Sequence, residues 1–239
     1  TMNSVSEYGI VISCEPYKEN DGLIQVASES GFVSFHAKGI AKMTSKNAAG
    51  CQLFHLSRFE YEKKSSSTLH TLKTAILQTS FPHIREDLCL VSLASMMAEC
   101  IRYSDADTWQ YPLLKDALTR LEQGQKPYLV FCLFLSTVLK QSGISPYTDG
   151  CVNCGNSFVT TISVEDGGFL CADFSHTGPL PVKDLKSFRY LVMGRLTNYD
   201  VLCSVEMDEV RMTEYLLDFY EFHMQMHLKS RRFFEVYKK

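Results

Sequence analysis

Phe81-Pro82-His83-Ile84-Arg85-Glu86-Asp87 is the stretch at which the chain changes its period. Before it, apolar residues alternate with polar ones over short runs. After it, they recur every three or four positions. The first pattern belongs to half-buried strands and the second to amphipathic helices. The junction therefore divides the chain into an expected strand domain over 1–80 and an expected helical domain over 81–239.

Working back from the junction, Gly9-Ile10-Val11-Ile12-Ser13-Cys14 is a short apolar run. Turn chemistry follows at Glu19-Asn20-Asp21-Gly22, and Leu23-Ile24-Gln25-Val26 resumes the strand pattern. Gly31 turns the chain into Phe32–Ala37, which Gly39 ends. From Cys51 to Glu62 the pattern alternates again, with Leu53, His55, Ser57, Phe59 and Tyr61 on one side and Phe54, Leu56 and Arg58 on the other. A polar turn over Lys63–Ser67 leads to a last strand from Leu69 to Leu77. Five short strands in so small a span suit a closed barrel, of which the OB-fold is the commonest five-stranded kind; an SH3-like barrel fits this pattern nearly as well.

Working forward, Ile84 to Arg102 has apolar residues on nearly every face (Leu88, Leu90, Val91, Leu93, Met96, Met97, Ile101) and reads as one central buried helix. Asp105–Pro112 reads as a loop. Leu114, Ala117, Leu118 and Leu121 form an amphipathic stripe closed by Gly124. Pro127 opens a third helix and Gly143 ends it. After a loop bracketed by Pro179 and Pro181, Leu185, Phe188 and Val192 mark a fourth. Val210, Leu217, Tyr220, Met224 and Leu228 mark the last. The chain has no internal repeats and no low-complexity segments.

Inserted in the helical part, over 150–176, is a stretch with the form of a small zinc ribbon. Cys151 and Cys154 make one knuckle, Asp166-Gly167-Gly168 turns the chain, and Cys171 opens a second knuckle. The spacing is that of a four-thiolate site, with Phe174 where the fourth Cys would stand. Asp173 and His176 are the neighbouring candidates for a fourth donor, and His223 and His227, one helical turn apart, are a weaker pair. The bland alternative is a degenerate knuckle whose thiols are simply buried.

The net charge of −3 argues against a surface that binds nucleic acid everywhere. Its distribution is more telling. No Asp or Glu occurs from Ser30 to Phe59, where Lys38, Lys42, Lys46 and Arg58 all lie. Residues 229–239 are basic as well: Lys229, Arg231, Arg232, Lys238 and Lys239 against Glu235 alone. Cations that track phosphates, with rings that stack bases, make a single-stranded nucleic-acid surface. Phe32, Phe35, Phe54, Phe59 and Tyr61 flank the lysines, although each ring also suits a barrel core.

Other classes are not favoured. No stretch approaches the roughly 20 apolar residues of a membrane span, Tyr128–Leu139 being too short, and no leader segment is expected. Nine cysteines, an odd number without a disulfide-dense layout, suggest reduced thiols and a cytoplasmic setting. Cys14, Cys89, Cys100 and Cys132 lie in apolar runs and read as core. Glu86-Asp87 and Asp208-Glu209 fall where the first turns of helices are expected. There is no G-x-S-x-G elbow, H-E-x-x-H helix or phosphate-binding G-x-x-x-x-G-K-[ST] loop, so no enzyme is expected.

Taken in order, several of these stretches resemble the bacterial recombination mediator family RecO. They are the G-I-V-I strand, the Tyr17–Asp21 turn, Ala37-Lys38-Gly39 with Ser45-Lys46 beyond it, Phe81–Asp87, the C-x-x-C-G and G-G-x-x-C elements, and Leu228–Phe233. The resemblance covers nearly the whole chain. It implies an N-terminal five-stranded OB-fold barrel followed by an α-helical domain with a zinc-ribbon-like insert, an α+β multidomain fold. It also implies a role in recombinational DNA repair: binding single- and double-stranded DNA, annealing strands, and cooperating with RecR and single-stranded DNA-binding protein to load RecA. Structural Zn2+ and a nucleoid-associated, cytoplasmic location complete the expectation.

Overall fold

A computed structural model describes residues 3–63, 67–105 and 107–238. Residues 64–66 of the expected polar turn, Ala106 of the expected loop and Lys239 lie outside the described residues. Five strands among the described residues build the first sheet: β1 (Asn3–Tyr17), β2 (Asp21–Ser28), β3 (Gly31–Ala37), β4 (Leu56–Lys63) and β5 (Leu69–Thr79). β1 is long enough to serve two partners. Its first half pairs antiparallel with β4 and its second half with β2. The exchange happens around Gly9, where a Cβ would fall 2.3 Å from the Val26 side chain. Just beyond, a register shift between Val11 and Ser13 bends the strand further. β3 then pairs with β5, parallel, over Ser34–His36 and Leu69–Thr71, which closes the barrel in the order β1-β2-β3-β5-β4. The result is a five-stranded OB-like barrel followed by helices.

The barrel core is Val11, Ile24, Val26, Val33, Phe35, Ala37, Cys51, Phe59, Tyr61, Leu72 and Ala75. Phe35 stacks on Phe59 with centroids 5.5 Å apart, and Tyr61 lies 4.9 Å from Phe35. β4 begins later than the alternation from Cys51 suggests. Cys51 ends a short 3-10 turn, Ala49–Cys51, and Phe54 adopts a left-handed backbone at φ 66°. Phe54, His55, Leu56 and Ser57 are therefore buried in succession, and alternation starts only at Arg58.

The expected helix over Ile84–Arg102 is two helices, α1 (Pro82–Glu86) and α2 (Leu88–Tyr103). Asp87 is extended, and its carboxylate accepts from the amides of Cys89 at 2.7 Å and Leu90 at 3.2 Å. An aspartate that caps a new helix in this way must itself leave the preceding one. Glu86 accordingly ends α1 rather than starting a helix, whereas Asp208 does cap a helix, by accepting from the Arg211 amide. α3 (Gln110–Glu122) begins within the expected loop, so Gln110–Pro112 are helical, while α4 (Pro127–Gln141) lies where the periodicity puts it. Leu129 to Leu135 of α4 are all fully buried, so α4 is a central helix of the second half.

Beyond α4 come the hairpin β6 (Thr161–Ser163) and β7 (Gly168–Leu170), then α5 (Val182–Met193), α6 (Tyr199–Leu202), α7 (Glu209–Met224) and α8 (Arg231–Tyr237). α7 ends before Leu228, at Gln225 in the left-handed region, and its buried stripe is Met212, Leu216, Leu217, Phe219 and Tyr220. α6 and α8 are too short to carry a periodicity. Among the supposed core thiols, Cys100 and Cys132 are buried, but Cys89 is half-buried and Cys14 exposed. By packing, the chain forms two compact units, Thr1–Gln123 and Gly124–Lys239. Helices α1–α3 thus belong with the barrel. No helix among the described residues is long and apolar enough to cross a membrane.

One polar pair sits inside the first unit. The Tyr61 hydroxyl donates to the buried Glu7 carboxylate at 2.5 Å, and the Ser30 amide donates to it at 3.0 Å. Burial pushes the Glu7 carboxyl up, but the Tyr61 and Ser30 donors outweigh it and hold it below its ordinary value. Tyr61→Phe should cost about 1.5–3 kcal/mol, measured as a lower urea midpoint at unchanged slope. A depressed carboxyl contributes above its unfolded pKa and loses that contribution as pH falls through its folded value. The gap between wild type and variant should therefore narrow on acidification.

Candidate nucleic-acid interface and candidate metal centre

β3 and β4 are not neighbours in the barrel, so the chain crosses from one to the other through residues 38–55. The first part of this connection is a chain of turns. Lys42 donates its amide to the Gly39 carbonyl at 3.1 Å and Ser45 donates to Lys42 at 2.9 Å. Both ends are pinned. At the start, the Gly39 amide donates to Asp21 Oδ1 at 2.8 Å, His36 Nε2 lies 2.7 Å from Asp21 Oδ2, and the Ala41 amide donates to the Asn20 carbonyl at 3.0 Å. At the far end, the Asn47 side chain donates to the Lys73 carbonyl and accepts from the Ala75 amide, each at 3.0 Å, which clamps the segment to β5. The Gly39 amide and then His36 hold the Asp21 carboxyl below its usual value.

Lys38, Lys42 and Lys46 are all exposed on this pinned segment. Among the described residues, the Lys and Arg ion pairs of the same unit lie elsewhere: Arg58 with Glu60, Lys73 with Glu62, Arg102 with Glu15 and Arg120 with Asp116. Arg58 is not part of the segment. It lies in the middle of β4, half-buried, opposite Tyr8 of β1 and Ile76 of β5, with Glu60 3.7 Å away. The flanking rings are core: Phe35, Phe54, Phe59 and Tyr61 are each at most 2% exposed, and Phe32 is half-buried. An exposed ring at the start of this region, against His36, is Tyr17, which sequence reasoning passed over. Its ring meets His36 edge-on at 5.4 Å, and Lys18 lies over it at 5.3 Å. The signal available was the turn Tyr17–Asp21, whose last residue clasps the lysine segment.

The second basic stretch is not a free patch. Arg231 pairs with Asp218 at 2.5 Å, Glu221 at 2.7 Å and Glu235 at 3.4 Å, and Lys238 pairs with Glu214 and Glu235. The charges of Arg231 and Lys238 are thus engaged by carboxylates, those of Asp218, Glu221 and Glu214 tying α8 to α7, while Arg232 lies over the Phe233 ring at 4.7 Å.

The ribbon's two knuckles make the same turn. The Cys151 carbonyl accepts from the Gly155 amide at 2.8 Å, and the Cys171 carbonyl accepts from the Ser175 amide at 3.0 Å. Gly155 is left-handed, at φ 73°. Between the knuckles, β6 and β7 pair over Thr161–Ser163, and Gly168 lies so close to Tyr147 that a Cβ would fall 2.1 Å from its carbonyl oxygen. The sulfurs of Cys151, Cys154 and Cys171 all lie within 4.8 Å of one another, with Cys154 and Cys171 3.7 Å apart. Tetrahedral zinc with bonds of about 2.3 Å would separate its sulfurs by about 3.8 Å, so the three thiols are compatible with such an ion.

Cys151 is buried, which pushes its thiol up, yet the amides of Cys171, Cys154 and Asn153 outweigh this and bring it down to about 7. For Cys154 the Asn156 amide acts downward, but burial and the other two thiols leave it raised. Among the described residues no imidazole or carboxylate joins the cluster, so Asp173 and His176, both exposed, are not brought to it. His223 donates from Nε2 to the Val164 carbonyl at 2.7 Å, and His227 is exposed near Glu221. Because α7 ends at Met224, His227 lies beyond the helix and the two imidazoles are not one helical turn apart on a shared face, contrary to the expectation.

Two measurements probe these assignments. Asp21→Asn should reduce hydrogen-exchange protection of the Gly39 amide at neutral pH. Because the Asp21 carboxyl is depressed, the clasp is intact above the ordinary range of about 4 and is lost only below it, where the variant and wild type should converge. Arg231→Ala should lower stability by about 1.5–3 kcal/mol in thermal or chemical unfolding.

The chain matches two family models: one described as Recombination protein O N terminal over residues 2–81, the other as Recombination protein O C terminal over 85–232. It is 31% identical to the DNA repair protein RecO of Bacillus mycoides (strain KBAB4) over 245 residues, which is 97% of this chain and 96% of the relative. It is also 31% identical to the DNA repair protein RecO of Bacillus cytotoxicus over 246 residues and to that of Bacillus cereus (strain B4264) over 245, with the same shares covered. With both halves matched and relatives aligned over almost their full length, the chain belongs to the RecO family of DNA repair and recombination proteins.

Proposed function

We propose that this chain is a non-enzymatic mediator of recombinational DNA repair that binds and anneals DNA through its barrel. In that role it helps load RecA onto single-stranded DNA coated with single-stranded DNA-binding protein, with RecR as a partner. The observation that carries the reading is the acid-free segment from Lys38 to Lys46, pinned at Asp21 and Asn47, with all three lysines exposed. Cations on an already ordered backbone can follow phosphates without first ordering a loop, which is a cost that weakens binding by flexible segments. Phosphate contacts carry no sequence information, so both single and double strands are suitable ligands. Tyr17 supplies an exposed ring for stacking, and Arg58 adds a cation on the strand face. The location that follows is the cytoplasm, at the nucleoid. Zn2+ in a structural role is the ion proposed for Cys151, Cys154 and Cys171.

The test is fluorescence anisotropy of labelled single-stranded DNA against salt. With Lys38, Lys42, Lys46 and Arg58 each on a phosphate, log affinity should fall with log salt at roughly −0.7 per contact, near −3 in all. Changing the three lysines together to Ala should weaken binding alike for all sequences and flatten the slope by about 2. A flat salt dependence in wild type would refute the reading.

The alternative is an adaptor in a repair complex, with the barrel as scaffold only. It draws on a cavity of about 290 Å³ at the base of the ribbon, lined by Phe158, Val159, Val182, Leu185, Lys186 and Arg189, where Phe158 and Val182 are well exposed. Pull-down of RecR, and of the acidic tail of single-stranded DNA-binding protein, by a chain that binds no DNA would favour it.

A further inference from the structure

The two knuckles of the ribbon are built alike but do not supply donors alike. Cys154 is the residue just ahead of the amide that closes the first turn onto Cys151. Phe174 stands in the same relation to the second turn, onto Cys171, with its own amide 3.2 Å from that carbonyl. The second knuckle therefore presents a phenyl ring, which has no donor atom, at the position from which the first presents a sulfur. The face concerned is open to solvent: Cys154 is exposed, Val152 is 37% exposed and Phe174 is 40% exposed. The imidazoles and carboxylate near in sequence are not in the cluster, as described above.

The ribbon also has fastenings that need no ion. His223 is bonded to Val164, Tyr147 bridges to Gly168, and Arg189 bonds the Thr148 carbonyl and pairs with Asp149 at 2.9 Å. A four-thiolate staple is therefore not required to keep the hairpin in place. We infer that the ion at Cys151, Cys154 and Cys171 takes only three ligands from the protein, and that its fourth position, on the Phe174 side, is filled by an exchangeable donor from solution. That donor is water where nothing softer is present and a small thiol where one is. The thiol binds as its thiolate, releases its proton to solvent and displaces the water. The centre is then a weaker and more labile metal site than a closed four-thiolate one, with a coordination position open to exogenous ligands.

The inference rests on the assignment of a metal to these thiols, and the experiment separates the two. The full-length chain is titrated with Co2+, recording the sulfur-to-metal charge-transfer and d–d bands, and Zn2+ affinity is measured in competition with a chromophoric chelator. Wild type should give the intensity of three thiolates. Phe174→Cys should raise it by about one third and tighten Zn2+ on the order of 100-fold, as a fourth thiolate closes the site. 2-Mercaptoethanol should raise the charge-transfer intensity of wild type, a result that does not depend on how well any variant folds, and leave Phe174→Cys unchanged. Bound cobalt with no response to Phe174→Cys and none to thiol would overturn the inference alone. So would a loss of affinity in Asp173→Ala or His176→Ala equal to that in Cys154→Ala. No cobalt spectrum in either protein would remove the metal centre and the inference together.

Discussion

Closure of the barrel by β3 against β5 is the constraint on which the first unit depends. Only three residue pairs make the join, Ser34–His36 with Leu69–Thr71. Without them both strands would present an unpaired edge, which proteins otherwise have to cover or blunt. The join also dictates the connection. Because β5 takes the place beside β3, the chain cannot turn back in a tight hairpin to β4 and must cross through residues 38–55. The lysines are on that crossing, and their exposure follows from its path along the barrel surface.

A long crossing has to satisfy its own backbone. Here it does so by successive turns and by borrowing two side chains, Asp21 at one end and Asn47 at the other. The same bonds that resolve the backbone problem order the lysine segment. The requirement of the fold and that of the proposed phosphate-binding surface thus meet in the same residues. The ribbon is a contrasting case. Its hairpin is held by main-chain pairing, by the bridge from Tyr147 to Gly168 and by His223, which leaves the thiols less essential to its shape.

Much of this was legible in residues taken alone. The strand-to-helix junction at Phe81-Pro82, the five strands, α3 and α4 all follow from period and from Gly and Pro punctuation. The errors occurred where a local backbone event, a cap or a left-handed residue, interrupts a hydrophobic pattern that continues in sequence. Asp87 splits a helix that hydrophobicity alone makes continuous, because its carboxylate caps the second half. Phe54 delays β4, because its left-handed backbone breaks alternation. Leu228 continues the α7 stripe in sequence but lies beyond the helix end at Gln225.

The candidate sites divide in the same way. The sequence by itself determined the acid-free run of Lys38, Lys42 and Lys46, the three cysteines and the missing fourth, because residue identity and spacing are its own information. Only the tertiary structure decided which charges are free. Arg231 and Lys238 look as available as the lysines of the barrel, yet α7 brings Asp218, Glu221 and Glu214 against them. It also decided that Phe35, Phe54, Phe59 and Tyr61 are core, and that Tyr17 is exposed. Charge pairing and burial are relations between residues far apart in the chain, and they exist only once the strands and helices have packed.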